Sequence, residues 1–402
     1  MHFWQTLPQP IIGLAPMDGI TDAAFRGITA RHGKPDVQYT EFVDVEAICR
    51  GIPGAWRQLY FAEDERPVCA QIYGSEPERF YQAAQVLCAL GFDGVDINMG
   101  CPAKSVARRG CGAGLIANPP LARAIIRAVQ AGVQDWASGH RLETLGLRPV
   151  VLDWIQRRTR SGLTPRRLLP VSVKTRVGYD TVVVEAWIAA LLMEQPAAIA
   201  LHGRTLAQKY QGQADWEAIR RAATLVRETS TLVLGNGDIR TMQEAVARVR
   251  QTQVHGVLIG RGALGNPWLF QAKSWARQLA AMPDAAELLP AVSQHERLQV
   301  ALEHARYFEA LGEGAYFPTM RKHLSWYCRG FPSAVEVRSR LVTSNSAAEV
   351  AHILAPWLTP EAMTGSYAPA RPPAWTSAPQ ERDNGKTPAE DDSTLLAPLR
   401  HN

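Results

Sequence analysis

A cysteine stands between a glycine and a proline in "NMGCPAK", residues 98–104, directly after the apolar run "GVDI". Glycine and proline interrupt regular structure, so Cys101 belongs on a fixed loop at a strand end. An unperturbed thiol has a pKa of about 8.5 and is mostly protonated at neutral pH. Cys101 can therefore donate a proton. A nucleophilic role is also open, although no adjacent His or Asn completes a Cys–His pair. Cys69 and Cys88, on a strand and a helix, read as small buried hydrophobes, and Cys111 carries little functional signal. A second feature is "VSVKTRV", 171–177. Side chains alternate along a strand, so Ser172, Lys174 and Arg176 share one face and Val171, Val173, Thr175 and Val177 the other. The valine face packs on helices, which turns both cations inward, toward a bound anion, an electron-rich ring or a salt bridge from a neighbouring strand. The third feature is a pair of glycine loops, "GNGDI" (235–239) and "IGRGALGNP" (259–267). Backbone N–H groups at such turns cradle phosphate, and Arg261 adds a fork of donors. "GRGALG" matches GxGxxG but closes a series of strands instead of opening a βαβ unit, so a mononucleotide such as FMN fits better than a dinucleotide.

The elements that must position these residues follow a regular rhythm. Strand candidates fall at 11–17, 37–42, 68–74, 94–100, 171–177, 197–203, 232–238 and 256–262, with amphipathic helical stretches between them. Eight alternating units predict a (β/α)8 TIM barrel over residues 1–270. Chemistry in that fold lies where strands end. Polar residues collect there: Asp18, Gln71, Asn98, Lys174, Arg176, His202, Arg204, Asn236, Asp238 and Arg261. A lone histidine is more often structural, but a polar group at nearly every strand end is costly to bury without a purpose. An insertion at about 137–170 holds seven arginines against Glu143 and Asp153, which accounts for the whole net charge of +5. Residues 290–358 read as a small helical domain, and 365–402, rich in Pro, Ser and charge, as a disordered tail. No apolar run reaches the ~18 residues of a membrane span. The start shows no secretory pattern, and the six cysteines are scattered without a CxxC pair, so no metal site and a reducing cytoplasm are expected.

In order along the chain, "APMDGITDAAFR" (15–26), "QIYG" (71–74), "DINMGCPAKSVARRGCGAGL" (96–115), "VSVKTR" (171–176), "LHGRT" with "YQGQADW" (201–216), "GNGDI" (235–239), "IGRGALGNPW" (259–268) and "MRKHLSWYCRGFP" (320–332) resemble the motifs of the tRNA-dihydrouridine synthases. The resemblance spans roughly residues 11–345. It implies an FMN-containing barrel, a helical tRNA-binding domain, and NADPH or NADH as reductant. It implies that Cys101 is the catalytic acid, and that Pro16, Met17, Asp18, Gln71, Lys174, His202, Asn236, Gly237, Asp238, Gly260 and Arg261 contact FMN. Asn98, Arg176 and Arg204 at the mouth, with Arg321 and Lys322 in the helical domain, are the expected substrate contacts. The expected enzyme is a monomer that reduces uridine in tRNA. The 137–170 insertion and the tail depart from the family pattern, and the insertion's arginines are read either as a solvated surface or as an extension of the tRNA footprint. Two other readings are an FMN barrel acting on a free pyrimidine, such as a dihydroorotate dehydrogenase, and a non-catalytic RNA-binding barrel.

Overall fold

A computed structural model describes residues 2–159, 166–281, 291–312 and 316–359. The expected tail at 365–402 lies outside the described residues. The strands are β1 (Ile11–Leu14), β2 (Gln38–Tyr39), β3 (Val43–Asp44), β4 (Val68–Tyr73), β5 (Gly94–Met99), β6 (Val171–Arg176), β7 (Ala198–His202), β8 (Leu232–Asn236) and β9 (Gly256–Ile259). All pair in parallel, in the order β1-β9-β8-β7-β6-β5-β4-β2. The seam is closed by Leu14 N donating to Val37 O at 3.0 Å and Asp36 N to Ile12 O at 2.9 Å. The expected eight-stranded barrel is therefore present. Its second strand is interrupted: the Thr40 hydroxyl accepts the Gln71 N–H at 3.0 Å, which breaks the ladder between β2 and β3. The short β3 resumes pairing with the end of β4.

Alternation along each strand sorts the barrel interior into layers. The lower interior is apolar, with Ile11, Tyr39, Cys69, Ala198, Leu234 and Leu258 packed above Trp4 of the turn Phe3–Gln5. Outward residues such as Ile12, Val95, Val173 and Ile199 join the large core under the helices. The barrel extends past the expected boundary at 270. Helix Lys273–Ala281 packs on helix Met242–Thr252, and Ala272 and Ala276 belong to the barrel core.

The helical domain consists of Gln294–Ala310, Met320–Tyr327, Ala334–Leu341 and Ala347–Leu354. Its core of Leu298, Leu302, Leu324, Val337 and Leu354 also contains Ala24, Ile28 and Trp268 from the barrel. Glu303 binds Arg31 at 3.3 Å and His32 at 2.8 Å across the same junction. The two units thus share one apolar interface.

The insertion contributes helix Pro149–Thr159, which packs beside Val45–Arg50 and Pro77–Ala89. The helices of the second unit, Val45–Arg50 and Pro53–Gln58, have only six residues each. Trp154, its ring centroid 4.9 Å from that of Trp56, covers what they leave open. Three of its described arginines, Arg158, Arg166 and Arg167, lie away from the mouth. Arg166 donates to Trp136 O (2.7 Å) and His140 O (2.9 Å), at the far end of helix Pro119–Ala137. Arg167 binds Phe92 O at 2.9 Å and Asp93 at 2.7 Å, just before β5 begins. Arg158 stacks 4.4 Å from the Phe61 centroid. These arginines secure the N-terminal end of the barrel, opposite the strand ends where the glycine loops and Cys101 lie.

Candidate active site

Above the apolar layer the inward-facing residues become polar. Asp96 on β5 accepts from Ser172 Oγ of β6 at 2.6 Å and from Gln71 Nε2 of β4 at 2.7 Å. Gln71 Oε1 accepts from Asn98 Nδ2 at 3.0 Å. Asn98 Oδ1 in turn accepts the N–H groups of Gly100 (3.0 Å) and Cys101 (2.9 Å). A buried chain across three strands therefore sets the turn that presents Cys101. Such a network is rigid because every member left unpaired in a low-dielectric interior would cost stability. Cys101 O also accepts from Ala113 N at 3.2 Å.

The half-buried thiol of Cys101 has its pKa raised by burial, with Asp18 adding to the effect. The Ala103 amide, Arg176 and Lys174 pull the other way without reversing it. It is a thiol at neutral pH, as a proton donor must be.

Lys174 lies beside Asn98 in the β5–β6 ladder. Its Nζ donates to the neutral Asn236 Oδ1 at 3.3 Å, and Asn236 Nδ2 donates to Leu258 O at 2.8 Å. Burial and the neighbouring Arg176 lower the Lys174 pKa from 10.5 to about 8. The salt-bridge alternative for Lys174 is not found among the described residues. His202 lies beside Arg176 on β6 and Asn236 on β8. Burial and the cations Arg176, Lys174, Arg204 and Arg261 push its pKa well below 6.5, so the ring is neutral. Arg204 donates to its Nε2 at 3.3 Å, which leaves the ring proton on Nδ1.

The glycine loops meet at the β8, β9 and β1 ends. Gly237 has φ +131°, and a Cβ there would lie 2.6 Å from the Ala214 Cβ. Arg261, about half exposed, donates to Asp238 Oδ1 at 3.0 Å. A Cβ on Gly260 would lie 3.2 Å from Met17 Sδ, which brings the Pro16–Met17–Asp18 loop to the same rim. Every residue expected to contact the cofactor is thus on one face of the barrel.

The expected substrate residues divide. Arg176, 2% exposed, donates to Gly100 O (2.6 Å), Thr205 O (3.1 Å) and Lys209 O (2.9 Å). It ties the cysteine loop to the loop after β7. Arg204, equally buried, binds Gln211 O, Gly212 O and Asp238. Both brace loops. Arg321 is held within the helical domain by Ser344 O at 2.9 Å and Asn345 Oδ1 at 2.7 Å. Lys322 donates to Gly19 O in the loop after β1.

Sequence reasoning passed over three residues of this mouth. Asp96 was visible as a charge inside an apolar strand, on the same face as Asn98. Glu41 continues the inward face of Tyr39, and burial, with Asp22 and Asp18 adding, pushes its pKa up to about 7. Tyr210, in "YQGQADW", is half exposed with its ring 5.9 Å from the Arg176 guanidinium; nothing in its local pattern marked it.

A motif series this long can be compared along the whole chain. The family model described as "Dihydrouridine synthase (Dus)" matches residues 13–139 and 162–360. The chain belongs to the dihydrouridine synthase family. It is similar to the "Probable tRNA-dihydrouridine synthase" of Staphylococcus epidermidis, with 32% identity over 360 residues covering 88% of this chain and 95% of that protein. The "Probable tRNA-dihydrouridine synthase 2" of Bacillus subtilis is 33% identical over 358 residues, with the same two coverages. Among solved structures, morphinone reductase in complex with tetrahydroNAD aligns with 68% of this chain and 88% of its own at 12% identity and a TM-score of 0.39, too distant to bear on this site. The dihydrouridine synthase match breaks between 139 and 162, inside the insertion, whose helix Pro149–Thr159 packs on the outer wall.

Proposed function

We propose that the barrel mouth binds FMN and reduces a uridine of tRNA to 5,6-dihydrouridine, with NADPH or NADH as reductant. The residues fit a flavin mononucleotide. Lys174 is a part-buried ammonium whose hydrogen bond goes to a neutral amide, so it favours an electron-rich ring. Gly237 and Gly260 keep the rim open to a phosphate, and Arg261 supplies a charged fork beside them. A bound reduced flavin would supply hydride to C6 of the pyrimidine. The charge then develops on the C4 carbonyl and C5, and the Cys101 thiol delivers its proton to C5. The resulting thiolate recovers a proton from solvent. Arg176 keeps Gly100, and with it the thiol, in place throughout. The neutral His202 can donate from Nδ1 without adding a further cation.

The target base must leave its stack to reach a recessed mouth. The helical domain, fused to the barrel beside that mouth, is the surface for tRNA, recognised through shape and phosphate. A free-pyrimidine enzyme has no need of such a domain. We place the enzyme in a reducing cytoplasm, in keeping with six free cysteines, and take it to act as a monomer.

The observation that carries this reading is the Cys101 thiol, set by Asn98 on a fixed turn, and the Lys174 ammonium, bonded to a neutral amide, at one strand-end mouth. Purified protein is expected to be yellow with one FMN per chain. Cys101→Ala should keep FMN and NADPH oxidation but lose dihydrouridine formation by about 10²–10⁴-fold. A colourless folded protein, or a Cys101→Ala enzyme that modifies tRNA at the normal rate, would refute it.

A further inference from the structure

The helical domain touches the barrel rim at two loops. Lys322 Nζ donates to Gly19 O, in the loop after β1. Arg329 donates to Leu264 O at 2.7 Å and Arg297 to Gly265 O at 3.0 Å, both in the loop after β9. β1 and β9 are neighbours in the barrel, paired from Ile11–Gly256 to Leu14–Ile259. The two loops so gripped are those that carry Pro16, Met17 and Asp18 on one side and Gly260 and Arg261 on the other. Further packing holds the grip. Gly265, at φ +61°, lies so close to Trp326 that a Cβ would sit 2.2 Å from the Trp326 carbonyl oxygen. Buried His323 brings its Nε2 within 3.8 Å of Asp22, and Asp22 caps helix Ala23–His32 through Phe25 N at 2.8 Å.

We infer that Lys322 and Arg329 are positioning residues for the flavin, and that the helical domain forms the outer brace of the cofactor site as well as a surface for RNA. The inference rests on the flavin reading above. The physical reason is geometric. A loop of irregular backbone holds a ligand tightly only if its conformation is fixed before binding. The loops after β1 and β9 have carbonyls that accept side-chain donors from the helical domain, and removing a donor loosens that part of the loop. Lys322 was expected on tRNA. Its ammonium is instead directed at a barrel carbonyl, with Asp18 and Asp22 as its acidic neighbours.

The test uses the full chain, stripped of flavin and titrated with FMN by fluorescence, together with tRNA affinity measured over a range of salt. Wild type comes first: if it does not bind FMN, the flavin reading itself fails, before any variant is made. In Lys322→Met combined with Arg329→Met, the FMN Kd should rise about tenfold, the scale of one charge-assisted hydrogen bond. The salt slope of tRNA binding should stay at the wild-type value. Lys322→Arg, which keeps a cation able to reach the Gly19 carbonyl, should retain most of the FMN affinity, a rescue that a general loss of stability would not give. An FMN Kd within about twofold of wild type, with a tRNA salt slope lower by about 0.7–0.9 per side chain removed, would overturn the inference and assign both residues to phosphate contacts.

Discussion

Lys174 and Cys101 stand at the same mouth and respond to burial in opposite senses. Burial disfavours charge in both, so the lysine becomes a weaker base and the thiol a weaker acid. The lysine titrates at about 8, well below its ordinary 10.5, while the thiol keeps its proton beyond its ordinary range. The high-pH limit on the site therefore belongs to the lysine. A ligand that needs the ammonium loses it as pH rises through about 8, so FMN affinity of the flavin-free protein should fall above that value, by at most about tenfold per pH unit. Lys174→Met should bind FMN weakly with no such step. A wild-type affinity that stays level between about pH 7 and 9 would remove Lys174 from the cofactor site.

At the scale of elements, the junction between barrel and helical domain depends on helix Ala23–His32 lying close to helix Gln294–Ala310. Gly27 permits this: a Cβ there would fall 2.2 Å from the Tyr307 ring, over which the Arg31 guanidinium lies 4.6 Å from the centroid. Gly27→Ala gains about 1 kcal/mol of helix propensity but forces a buried ring aside, which typically costs about 1–3 kcal/mol. The expected net result is lower thermal stability, with proteolysis cutting between barrel and helical domain before the barrel itself is degraded. A Gly27→Ala protein that melts at or above the wild-type temperature would show the junction to be compliant.

For the whole molecule, charge location had suggested more than it delivered. The insertion concentrates the net positive charge, yet Arg166 and Arg167 bind carbonyls and a carboxylate at the end of the barrel opposite the mouth. Arg167 shares Asp93 with Arg66, at 2.7 and 3.0 Å. Arg166 also lies 4.2 Å from the Trp136 ring. Arg166→Ala with Arg167→Ala should lower stability by about 1–2 kcal/mol, discounted because both sites are partly solvated. The salt slope of tRNA binding should not change. A fall of about 0.7–0.9 per arginine would instead restore the insertion to the RNA footprint.

Sequence alone determined the eight strands, the strand-end positions of Cys101, Lys174, His202 and Arg261, and the family. Alternation of period two and the glycine loops are local, and they survive folding unchanged. The break between β2 and β3 was not legible, because it arises when a Thr40 hydroxyl replaces a backbone acceptor on a neighbouring strand. Nor was the division among the arginines. Arg176, Arg204, Arg261, Arg321 and the insertion's arginines have the same side chain and similar local settings. Whether each meets a carbonyl, a carboxylate or open solvent depends on what lies across from it in space, which the local sequence around it does not show. Lys322 shows this most plainly, since its partner Gly19 lies 303 positions away. The sequence specifies which groups can bind; only the closed barrel and its attached domain decide which of them are already bound to each other.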